Sequence, residues 1–136
     1  MFAELGVAIA HCPMANSYFS SAVAPVQRFS KQGIHVGLGT DISGGYSPSM
    51  YENIRQAVLV SRLLETGVNA MLPPDERGGL GEGTRVSIVE SFWLATTGGA
   101  EALGFASGHV RSRVARLDMP GWSIPSRPGL RTLRAL

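Results

Sequence analysis

The sequence predicts an α/β fold in which short buried strands lie parallel and are joined through helices, and three observations predict it. Two continuous apolar runs, Gly6-Val7-Ala8-Ile9-Ala10-His11-Cys12-Pro13 and Ile34-His35-Val36-Gly37-Leu38-Gly39, are short and unbroken, as expected of strands covered on both faces. Between them Pro25 is placed to open a short helix through Val26, Phe29 and Gln32, with Gly33 at its C-terminal end. After them a longer segment shows helical recurrence. A strand, a helical crossover and a second strand form a βαβ unit, whose strands run parallel and whose crossover is right-handed.

The elements follow in order. The first strand ends at Pro13, and the polar, small stretch Asn16 to Ser21 reads as a turn. The second strand terminates in Thr40-Asp41 and gives way to the glycine-rich loop Ile42-Ser43-Gly44-Gly45-Tyr46. Ser47-Pro48 has the order of an N-cap and a first helical position. The helix that follows carries Met50, Ile54, Ala57, Val58, Ser61 and Leu64 on one side, the side expected to face the core. Gly67 and Pro73-Pro74 end it, and Asp75 to Gly83 reads as a surface loop. Ser87-Ile88-Val89-Glu90 has the spacing of a capping box, which opens a helix with Ile88, Phe92 and Ala95 on its apolar side. A short piece from Gly99 to Gly104 is expected to cap that helix. The chain thus divides into residues 1–104, which hold the fold, and an Arg/Pro-rich tail, residues 105–136, expected to be poorly ordered.

The charge balance follows the same division. Residues 1–104 hold six Lys or Arg against nine Asp or Glu, whereas residues 105–136 hold six Arg and only Asp118. A basic tail attracts nucleic acid or membrane surfaces. This one lacks aromatic interleaving and helical periodicity, so the expectation is no nucleic-acid partner. No run approaches eighteen apolar residues and no basic region opens the chain, so no membrane association and a cytoplasmic location are expected. The single Cys12 excludes an internal disulfide and reads as a small buried side chain at a strand end.

Chemistry concentrates at Asp41. At the C-terminal end of a parallel strand and before a glycine-rich loop, a carboxylate can bind a metal through one oxygen and take a proton from bound water with the other. It can equally accept hydrogen bonds from the amides that follow it, as in an Asx-turn. Glycines 37, 39, 44 and 45 match neither the dinucleotide nor the P-loop spacing. His11 and His35 fall inside strands and His109 in the tail, with no H-x-H or H-E-x-x-H pairing to make a metal site. The H-x-E and P-C-x-x-C pattern of cytidine-type zinc deaminases is absent as well.

Three strings taken together resemble the C-terminal barrel segment of guanine deaminases. They are Ala10-His11-Cys12-Pro13-Met14-Ala15-Asn16, then Gly33-Ile34-His35-Val36-Gly37-Leu38-Gly39-Thr40-Asp41-Ile42-Ser43-Gly44-Gly45-Tyr46-Ser47, and Leu94-Ala95-Thr96-Thr97-Gly98-Gly99-Ala100-Glu101-Ala102-Leu103-Gly104. The resemblance covers about the first hundred residues. It implies a partial (β/α)8 TIM-type barrel of the amidohydrolase class, comprising the seventh and eighth strand units plus terminal helices. Such a barrel needs roughly 250 residues in full. It also implies hydrolytic deamination of guanine, a small-molecule purine substrate, to xanthine and ammonia by a zinc-activated water. Asp41 is then the catalytic, substrate-binding and metal residue, and the enzyme a homodimer. His11 matches a position that is structural in that family.

The departures carry expectations of their own. The family's strand-one H-x-H and its histidines on strands five and six have no counterpart in this sequence, so zinc would lack its other ligands and the isolated chain is expected to be inactive. The tail does not match the family's continuation past Gly104, as expected of a truncated or frame-shifted product. Three alternatives stand beside this reading: a chlorohydrolase or adenosyl-type deaminase, a small nucleotide-binding βαβ module, and a non-catalytic fragment that associates with full-length subunits.

Overall fold

The computed structural model describes residues 2–42 and 44–105. The expected properties of the 105–136 tail, and His109 within it, lie outside the described residues beyond Phe105. The order of elements is β1 (Ala8–His11), α1 (Pro13–Ser20), α2 (Val26–Lys31), β2 (His35–Leu38), α3 (Met50–Thr66), a 3-10 turn (Pro74–Glu76), α4 (Ile88–Ala95) and α5 (Thr97–Ala102).

β1 and β2 pair in parallel, with Ala8 opposite His35 and His11 opposite Leu38. Among the described residues the sheet holds these two strands alone, so each has one edge without a neighbour. Alternation along β2 explains how both its faces are covered. Val36 and Leu38 join Val26, Ile54, Ala57, Val86 and Leu94 in the core, with Ile9 and Phe29 packed against it. Gly37 lies between them in the strand, and α5 packs on β2 there. A Cβ on Gly37 would stand 3.0 Å from the Gly99 Cα, so two glycines allow backbone to approach backbone.

Most expected elements form, with shifted boundaries and faces. Residues 16–21 are not a turn. Pro13 sits in the first helical turn and starts α1, whose buried Met14 and Ala15 anchor it, and only Ser21, at φ 48°, breaks away. A proline at the first turn removes an N–H that has no helical partner, which favours the helix over the turn. α3 begins two residues later than expected: Ser49, not Ser47, is the N-cap, its hydroxyl accepting from the Glu52 amide. Its buried face comprises Asn53, Ile54, Ala57, Val60 and Ser61, while Val58 and Leu64 are only half-buried.

The capping box of α4 is present in both directions. Its buried face, however, is Ser91 and Leu94, whereas Ile88 is 55% exposed. Two buried serine hydroxyls account for that rotation. Ser91 Oγ donates to the Ile54 carbonyl at 3.0 Å, and Ser61 Oγ accepts from the Val86 amide at 2.9 Å, so α4 and its approach are fastened to α3 by polar groups in the interior. The excursion between α3 and α4 is largely exposed and is pinned outside by Arg85 to Glu65 and by Gln27 to the Arg85 carbonyl and Glu90.

Candidate active site

Parallel pairing brings the C-terminal ends of both strands to one edge, and that edge carries the chemistry. β1 delivers His11 and Cys12; β2 continues through Gly39 and Thr40 to Asp41. Gly39 donates its amide to the His11 carbonyl at 2.9 Å, extending the ladder one step past the strands. A Cβ at Gly39 would meet Cys12 Sγ at 3.0 Å, so the thiol occupies the space left by that glycine.

Asp41 is exposed at this edge, with a backbone φ of 47°. The left-handed region is costly for residues with a Cβ, although aspartate tolerates it better than most. The amides of Gly44 and Gly45 both donate to the Asp41 main-chain carbonyl. They turn the loop back through the Asp41 main chain. Cys12 is half-buried, not buried as its sequence position implied. Its thiol pKa is raised by burial and by the nearby Asp41 charge, partly offset by the Asp41 backbone amide directed at the sulfur. Asp41 and Cys12 are therefore neighbours, which their distance in sequence conceals. The register shows it: if His11 is opposite Leu38, Cys12 falls opposite Gly39.

The histidines do not join this edge as ligands. His11 is 2% exposed, its Nδ1 has no hydrogen-bond partner, and burial lowers its pKa from 6.5 to about 4, so it is a neutral interior group. His35 starts β2 at the opposite end of the sheet from Asp41. Among the described residues no three His, Cys, Asp or Glu side chains come together in a way that could hold a metal ion. Zinc bound by protein in a catalytic site takes three protein ligands, so the residues present here do not fit it by themselves. A cleft of about 420 Å³ between α1 and α3, lined by Ser17, Gln56, Val60, Leu63 and Arg77 among others, does not include Asp41, Cys12 or His11.

A lone carboxylate at the C-terminal edge of parallel strands is the arrangement in which barrel enzymes present part of a site. Residues 1–112 match the Amidohydrolase family. The chain belongs to the amidohydrolase family. Within it, the chain is 42% identical over 108 residues to the guanine deaminase of Mus musculus, covering 79% of this chain and 21% of the mouse protein. It is 36% identical over 113 residues to a 5-methylthioadenosine/S-adenosylhomocysteine deaminase of Natronomonas pharaonis, covering 82% of this chain and 23% of that one. The solved structure of the E. coli guanine deaminase superposes with a TM-score of 0.58 at 31% identity, over 76% of this chain and 20% of that chain. The chain thus spans about a fifth of the length of these relatives. The α/β amidohydrolase fold and the kinship with guanine deaminases follow, and the described residues constitute part of such a barrel. Among them, no helix is long and apolar enough to cross a membrane.

Proposed function

We propose that this chain supplies the last two strand units of a guanine deaminase-type barrel, the enzyme being a cytoplasmic homodimer that hydrolyses guanine to xanthine and ammonia, with Asp41 as a catalytic, substrate-binding and metal carboxylate. One observation carries the reading: Asp41 stands at the C-terminal edge of β2, inside the stretch that is 42% identical to a guanine deaminase. Zinc belongs to that reading as the source of an activated water, and its remaining ligands belong to parts of the barrel outside this chain. What this chain contributes is a fixed carboxylate, able to take a proton at one oxygen and return it to the departing nitrogen. Residues 1–104 form the barrel portion, and the tail has no part in the chemistry.

A chimaera tests this. Residues 1–104 replace the matching segment of the mouse guanine deaminase, and xanthine is followed with guanine as substrate. Turnover is expected, with a fall of about a hundredfold or more for Asp41→Asn, the scale of a lost acid–base group. The isolated 136-residue chain is expected to give no xanthine, since its described residues form no three-ligand metal site. A folded chimaera indifferent to Asp41→Asn, or near-normal turnover by the isolated chain, refutes the reading. The adenosyl-type deaminase alternative rests on the Natronomonas match, which extends over 82% of the chain, and it is favoured if the chimaera deaminates S-adenosylhomocysteine in preference to guanine.

A further inference from the structure

The loop after Asp41 contains two adjacent glycines whose absent side chains leave different spaces. At Gly45 a Cβ would approach the Thr40 carbonyl oxygen to 2.9 Å and Met14 Cβ to 3.4 Å, so the room there is needed by backbone and by the first turn of α1. At Gly44 the nearest atom is Asp41 Oδ2, so close that no real Cβ fits beside it, followed by the Asp41 Cγ at 2.9 Å and Ala15 Cβ at 3.4 Å. The carboxylate therefore rests in the volume a side chain at position 44 would fill. Asp41 is held in its left-handed conformation by the Gly44 and Gly45 amides on its carbonyl.

We propose that Gly44 is a positioning residue for Asp41: the open space over its Cα is the seat of Oδ2, and a side chain at 44 would turn the carboxylate out of it. The inference rests on the proposed role of Asp41 for its purpose, but the geometry can be tested apart from that role. A carboxylate seated before substrate arrives needs no reorganisation when a proton must be taken, which is the benefit of holding a catalytic group rigidly. An alanine at 44 must displace the Asp41 carboxylate or shift its own backbone.

The test is a double-mutant cycle on the full chain: wild type, Gly44→Ala, Asp41→Gly and the double variant, compared by thermal midpoint and, where Asp41 is retained, by the NMR signals of its β-methylene protons. Gly44→Ala is expected to lower the midpoint in the wild-type background and to shift or merge the Asp41 methylene signals. In the Asp41→Gly background the same substitution is expected not to lower it, because the colliding oxygen is gone and any conformational penalty peculiar to position 44 is common to both backgrounds. Failure of Gly44→Ala to fold together with folding of the double variant supports the proposal in the same way. An equal drop in both backgrounds, loss of folding in both, or unchanged Asp41 methylene signals overturns it. The two ideas fail separately: the cycle reports where the carboxylate sits, and the Asp41→Asn chimaera reports what it does.

Discussion

Lowering the pH should unfold this chain earlier than its carboxylates alone require, because His11 is buried as a neutral base. The interior lowers its pKa from 6.5 to about 4, and no partner for Nδ1 offsets the loss of water. Between those values the unfolded chain binds a proton that the folded chain refuses, so stability rises with pH across that window. The His11 contribution is full above about pH 6.5, declines as pH falls and is gone below about pH 4. Each pH unit in the window is worth about 1.4 kcal/mol, so the whole span corresponds to about 3 kcal/mol. Set against the roughly 5–15 kcal/mol of a small domain, that is a large share. The interval from pH 6.5 to about 5 isolates it, since few carboxylates titrate there, and about 2 kcal/mol should be lost over that interval. Urea unfolding followed by circular dichroism at steps of half a pH unit measures the slope. His11→Gln removes the titrating group and should flatten it, whatever that substitution does to absolute stability. Parallel slopes for the two proteins, or an imidazole signal for His11 that titrates near its ordinary value, would refute the reasoning.

Two further outcomes test the interior and the strand edge. Ser61→Ala leaves the buried Val86 amide without an acceptor and should cost about 1–3 kcal/mol, read as a lower urea midpoint at unchanged slope with faster exchange of the Val86 amide; a loss below about half a kcal/mol contradicts the assigned bond. Asp41→Asn removes a negative charge that holds the Cys12 thiol pKa up, so alkylation of Cys12 by iodoacetamide at mildly alkaline pH should become faster, and an unchanged or slower rate means the two groups are not neighbours in solution.

Local rules read the strands, the α2 crossover, the α4 cap and the glycine stop at Gly67 from sequence because each depends on adjacent residues. Helix faces were less legible. The apolar pattern of α4 points to Ile88, yet Ser91 is fully buried because its hydroxyl reaches the Ile54 carbonyl across the helix interface, a bond that no periodicity encodes. α1 was obscured for a similar reason. Its polar Asn16 and Ser17 suit a turn, but Met14 and Ala15 are held under the Asp41 loop, and tertiary burial overrides local preference there. At the candidate site, the place of Asp41 at a strand end left two readings open and only the family-like strings around it favoured the catalytic one, whereas the neighbouring Cys12 and the space over Gly44 depend on register and on side-chain direction. Both became visible only when the strands were paired.

The contrast between the two faces of β2 bears on what kind of site this edge can be. Val36 and Leu38 are covered by α2, α3 and α4, and the Gly37 face is met by α5, so among the described residues the sheet is covered above and below but open at both edges. Strand edges that present unpaired amides and carbonyls invite further strands. The exposed carboxylate of Asp41 shares that condition: it lies close to one thiol, and among the described residues it belongs to no group of three side chains that could hold a metal ion. Further strands added to the open edges would present their own C-terminal ends beside Asp41, because parallel pairing sends every such end to the same side. On the proposed reading of Asp41, closure of the sheet and completion of the site are one event, and the carboxylate is the part of it that this chain supplies.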